Sequence, residues 1–159
     1  RCYLWRDRMN DSLNVVVREL PPLRVALLEY NAEGLAGTYQ ESIGMLFREV
    51  EGWLMKRGYK TEHLRRLGVS FTDGPKLLRY WCCIEAPPGL EAGDGPVQVR
   101  ELAGGRYAVL TLAKDATIGE KIARFHSEYV PAHGLTPDEA RPPVEIYHPQ
   151  TVEYCAPVV

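Results

Sequence analysis

Two windows of the chain place apolar residues at helical spacing. Ile43, Phe47, Val50 and Leu54 follow an i, i+4, i+7, i+11 rule, with Arg48, Glu49 and Glu51 off that face; this predicts an amphipathic helix with one buried stripe. Ile118, Ile122, Phe125 and Tyr129 repeat the stripe further on. Gly58 behind Lys56-Arg57 marks the end of the first helix, and Pro131 with Gly134 closes the second. Short apolar runs bounded by turn residues predict the strands. They lie at 24–28, 69–71 and 79–85 around Asp73-Gly74-Pro75, then at 106–110, 144–147 and 152–156 around His148-Pro149.

These elements form a repeat. Val17-Arg18-Glu19-Leu20 recurs as Val99-Arg100-Glu101-Leu102, 82 positions later, and the runs opening at Arg24 and Arg106 keep the same spacing. The helices start at Ile43-Gly44 and Ile118-Gly119, 75 positions apart, so the second copy has a loop shorter by seven residues. Each unit reads strand, helix, strand, strand. The expected fold is α+β, with about six antiparallel strands, two main helices over one face and a ligand groove between them. The expected boundaries are a lead-in or linker over 1–14 and one domain over 15–159. Repeat one covers 15–88 and repeat two covers 96–159, with the Pro- and Gly-rich stretch between them as linker.

Composition narrows the function classes. A chain of 159 residues with 45% hydrophobic content suits one domain with a real core. A net charge of −2 provides no global field for phosphate backbones. No apolar run approaches the roughly 18 residues of a membrane span, and a signal-peptide h-region is missing from the start, so a soluble cytoplasmic protein is expected, with no membrane partner. Cys2, Cys82, Cys83 and Cys155 lack zinc-site spacing and read as reduced thiols. His63, His126, His133 and His148 show no ligand spacing, so no metal and no cofactor is expected. Neither Ser42 nor Ser127 sits in a nucleophile elbow, and Gly104-Gly105 precedes a strand, as a hairpin turn does and a phosphate cradle does not.

Several segments together resemble a known family. They are Leu78-Arg79-Tyr80 before an apolar strand and Pro87, Gly104-Gly105-Arg106-Tyr107-Ala108-Val109, Val144-Glu145-Ile146-Tyr147, and Val152-Glu153-Tyr154-Cys155-Ala156-Pro157-Val158. In this order, over about residues 15–159, the chain resembles the gyrase-inhibitor-like effector-binding domains. Such domains form the C-terminal halves of AraC-type and MerR-type regulators, where they bind drugs or other small molecules. They also occur as standalone proteins, including an inhibitor of DNA gyrase, and in a branch that resembles hydrolases of cyclopropane-bearing genotoxic compounds. Many members carry Asp after the Arg-Tyr pair, where this chain has Trp81.

Glu145 and Glu153 stand in otherwise apolar strands, where an unpaired buried carboxylate costs several kcal/mol. One or both are expected to face the groove and pair with a cationic ligand or act as a base; the resemblance supports both, Glu153 the more. The alternative is a solvent-facing position, or a structural pairing with Arg79 or Arg106. Ring faces around a carboxylate would hold a flat cation. The candidates for that contact are Tyr39, Trp53, Phe71, Trp81, Tyr107, Tyr147 and Tyr154, each of which could equally be core. No residue is assigned a catalytic role.

The leading expectation is a small-molecule effector domain of a transcriptional regulator. DNA would be contacted only through a helix-turn-helix part outside this chain, and a homodimer is left open. The start at Arg1 and the Trp5-Arg6-Asp7-Arg8 cluster suit such a lead-in. A hydrolase would instead use a groove Glu as general base and consume its ligand. A standalone gyrase-inhibitor-like protein would need an exposed partner surface.

Overall fold

The computed structural model describes residues 12–31 and 39–159, with only the backbone for 39–41. Residues 1–11 of the expected lead-in, with Cys2 and Trp5, lie outside the described residues. The elements are β1 (Asn14–Leu20), β2 (Leu23–Asn31), α1 (Tyr39–Lys56), β3 (Arg66–Asp73), β4 (Lys76–Glu85), β5 (Gln98–Leu102), β6 (Gly105–Ala113), α2 (Ile118–Arg124), a π-helical stretch (Phe125–Tyr129), α3 (Val130–Ala132), β7 (Val144–Tyr147) and β8 (Thr151–Pro157). The expected strand-helix-strand-strand unit is present twice. A further strand, β1 or β5, leads each copy and brings the sheet to eight strands.

The strand order is β1-β6-β8-β7-β3-β4-β2-β5, and every pairing is antiparallel. Exchanging each strand for its repeat counterpart reads the same order backwards, so a pseudo-two-fold axis lies between β7 and β3. The leading strands are swapped: β1 pairs with β6 of the second copy, and β5 with β2 of the first. Pro21-Pro22 explains why β1 and β2 do not form a hairpin, since two residues without N–H and with fixed φ make a poor hairpin turn. This link reaches only about 10 Å, yet joins strands at nearly opposite edges of the sheet, so the sheet must roll. The two turns meet at the axis. A side chain at Gly104 would run into the Leu20 carbonyl and Pro22, 2.6 Å from the Cβ it would add, so only glycine fits.

Rolling closes one face on itself. Val25, Leu27, Leu67, Val69, Cys83, Val109 and Cys155 form a core there, each at most 2% exposed. The opposite face carries the helices. Val50 and Leu54 of α1 pack on Ala26, Leu28 and Ile84, while Phe125 packs on Ala108, Leu110 and Tyr154. Each fully buried Leu, Val or Phe contributes about 1.5–3 kcal/mol. The second helix widens to π geometry at Phe125, with the Val130 N–H bonded to the Phe125 carbonyl. Pro131, which lacks an N–H, follows at once. Cys82 and Cys83 point to opposite faces, and both are buried free thiols, as is Cys155. Among the described residues no helix is long and apolar enough to cross a membrane.

Candidate functional site

Strand alternation divides β7 cleanly: Val144 and Ile146 enter the rolled core, so Glu145 and Tyr147 face the helix side. Glu145 lies directly across from Gly68 on β3 and from Tyr154 on β8. The Tyr147 hydroxyl donates to Glu145 Oε2 at 2.9 Å. The Tyr80 hydroxyl lies 2.5 Å from that of Tyr147 and, since the Tyr147 proton is committed to Glu145, donates to it. Tyr80 reaches this position because Gly68 leaves its space empty; a Cβ there would collide with the Tyr80 ring and hydroxyl. Phe47 of α1 meets Tyr147 edge-on, with ring centroids 6.1 Å apart. On the other flank His126, presented by the π-helical turn, shares a 2.8 Å hydrogen bond with the Tyr154 hydroxyl.

Burial raises the Glu145 carboxyl above its ordinary range, and the Tyr147 hydrogen bond only partly offsets this. Burial and the neighbouring hydroxyl and carboxylate push Tyr80 far up. Tyr147 rises for similar reasons, and Tyr154 is pushed up to about 12. Burial lowers His126. At neutral pH the tyrosines are donors and His126 is uncharged. Glu145 is the one acidic group among these side chains, and among the described residues it forms no ion pair. A half-buried carboxylate with one oxygen bonded, aromatic walls and no cation partner is arranged to receive a positive charge.

A cleft of about 1120 Å³ adjoins this groove. Pro142-Pro143 cannot donate to a ladder, so β7 starts only at Val144, while β3 runs on to Asp73. Past the Val69–Val144 pair the sheet therefore splits. Ser70 and Phe71 line one wall of the gap, Tyr154 and Ala156 another, and Asp138 with Ala140 closes it from the side.

The other sequence candidates lie elsewhere. Glu153 pairs across from Ile146 and faces away from the helices, bonded to His148 Nε2 at 2.5 Å and to Arg18 at 3.3 Å. Trp81 and Phe71 meet edge-on on that reverse face, with ring centroids 4.8 Å apart, Arg79 over Phe71 and the Trp81 indole donating to Glu29 at 3.0 Å; Phe71 also reaches the cleft. Tyr107 is buried in the rolled core under the Arg141 guanidinium, with its hydroxyl on the Ala103 carbonyl. Trp53 packs on the outer flank of α1, against the cluster containing Leu90 and Val97, capped by Arg57 at 3.6 Å. Its indole N–H has no partner among the described residues. The side chain of Tyr39 lies outside the described residues. Tyr80, Phe47, His126 and Gly68 are not among the site residues expected from sequence. The register implied by the repeat was the signal that could have placed Gly68 and Tyr80 beside Glu145.

Comparison with known proteins gives a consistent picture. The family described as GyrI-like small molecule binding domain matches residues 13–158. No curated protein matches the chain in sequence. The cryo-EM structure of an EcmrR–DNA complex shares the fold at TM-score 0.69 and 12% identity, covering 99% of this chain and 62% of that one. This chain thus spans less than two thirds of that relative. SAV2435 bound to tetraphenylphosphonium aligns at TM-score 0.61 and 18% identity, covering 92% of this chain and 94% of that one. A hydrolase from Listeria innocua aligns at TM-score 0.65 and 11% identity, with 97% of each chain covered. At these identities the likeness establishes the fold.

Proposed function

Since this chain belongs to the GyrI-like small molecule binding domain family, we propose that it is the effector-binding domain of a transcriptional regulator, taking an aromatic or lipophilic cation over Glu145. The carrying observation is the unpaired Glu145 carboxylate, braced by Tyr147 and Tyr80 and walled by Phe47 and Tyr154. A cation placed there offsets the desolvation of the carboxylate that folding leaves uncompensated. Neighbours of the same fold include a regulator bound to DNA and a protein bound to tetraphenylphosphonium, which supports the reading by analogy.

The rival reading, a hydrolase, draws on the same residue: a carboxyl with a raised pKa and one free oxygen is what a general base requires. Prolonged incubation with tetraphenylphosphonium and with cyclopropane-bearing electrophiles separates the two. The effector reading predicts a thermal shift with the phosphonium and recovery of every compound unchanged. Consumption of a compound that stops in Glu145→Gln would replace it with the hydrolase.

A further inference from the structure

The groove over Glu145 is closed on one side and open on the other. Towards α1, Phe47 sits against Tyr147, Tyr80 fills the space above Gly68, and Glu51 is tied to Arg66 at 3.0 Å. Towards α2, the His126–Tyr154 pair borders both the Glu145 position and the cleft made by the short β7. The two halves of the pseudo-symmetric domain therefore offer a ligand unequal room.

We propose that the cleft between Ser70–Phe71, Tyr154–Ala156 and the Asp138–Ala140 segment is a second subsite that takes the extended tail of the ligand whose cationic head lies at Glu145. This rests on the preceding reading of Glu145. The class of ligand it selects is an elongated lipophilic cation, with the tail leaving past His126 and Tyr154. The cleft also sets the character of the tail's far end. Its two arginines are already engaged, Arg79 with Glu29 at 3.5 Å and Arg141 with Asp138 at 2.8 Å. Asp73 and Glu139 are exposed on its rim and form no ion pair among the described residues. A tail ending in an amine is favoured there over one ending in a carboxylate, by complementarity of charge.

A series of triphenylphosphonium cations tests this: methyl, hexyl and decyl, and decyl chains ending in an amine or a carboxylate, titrated calorimetrically. Each methylene buried in the cleft adds to affinity, so the decyl compound is expected to bind at least tenfold tighter than the methyl compound, and the amine-ended chain tighter than the carboxylate-ended one. In Ala140→Trp, which fills the cleft, the dependence on chain length is expected to disappear, with a thermal melt verifying that the variant folds. Equal affinity of all chain lengths, or a length dependence that persists in Ala140→Trp, overturns the tail subsite while leaving the head site intact. Failure of every cation to bind overturns the reading of Glu145, and the subsite with it.

Discussion

Glu145 and Gly68 face each other across the β3–β7 pairing, and this pair lies on the pseudo-two-fold axis of the domain. The registers require it. Leu28 and Leu110 are repeat equivalents, and they pair with Cys82 and Tyr154 respectively. Those in turn pair with Gly68 and Glu145. The two copies thus placed one position each at the centre of the helix-side face, and they fill it differently. Two carboxylates in contact there could not both ionise easily. One carboxylate opposite a glycine keeps a single charge and leaves room for the Tyr80 hydroxyl to brace Tyr147.

Gly68→Ala should therefore be far worse than an ordinary strand substitution. The added methyl must displace Tyr80, an overpacking change of about 1–3 kcal/mol, which in a domain of this size is several degrees in Tm. Thermal unfolding of the variant checks this; an unchanged melt would mean that Tyr80 does not occupy the space over Gly68.

The raised carboxyl pKa of Glu145 gives stability a pH signature. Between its ordinary and its raised pKa the folded state holds more protons than the unfolded one, so this residue's contribution falls as pH rises through that window. His126, lowered by burial, acts oppositely and loses stability as pH falls. The difference in Tm between the parent protein and Glu145→Gln isolates the first effect. As pH rises from about 4 through the raised pKa of Glu145, the parent should lose stability relative to the variant. A constant difference would show that Glu145 is not desolvated.

Glu153→Gln should leave affinity for a phosphonium cation within about twofold, since the side chain faces the reverse of the sheet and is held by His148 and Arg18. Calorimetry on this variant would contradict the placement of the site if affinity fell tenfold.

Arg141 ties the segment before β7 to the β5–β6 turn. Its guanidinium donates to Asp138 and to the Arg106 and Val158 carbonyls, the latter two at 3.0 Å, and lies 4.6 Å over the Tyr107 ring. Arg141→Ala should cost about 2–4 kcal/mol in denaturant unfolding. Arg141→Lys should recover little of it, because an ammonium cannot reproduce the fork or the stacking; full recovery by Lys would reduce the contact to simple charge.

The helices and the duplication were legible because a 3.6-residue stripe and a repeated segment are local signals. So was the shared face of Glu145 and Tyr147, two residues apart on one strand. The leading strands β1 and β5 were not counted, because each pairs with the opposite copy and no local pattern announces a swapped strand. Glu145 and Glu153 could not be assigned faces relative to each other: the turn at His148-Pro149-Gln150 lies between them, and a slip of one residue there reverses one face. Trp53 stands beside the buried stripe of α1, but on the flank away from β7. A helical wheel gives no means of telling those flanks apart.

Whether Glu145 supplies the charge that receives a cation is decided by isothermal titration of tetraphenylphosphonium and neutral triphenylphosphine oxide against the parent protein and Glu145→Gln. The substitution is expected to weaken the cation at least tenfold, about 1.4 kcal/mol, and to change the neutral compound by less than about twofold. Equal weakening of both, or of neither, would contradict it.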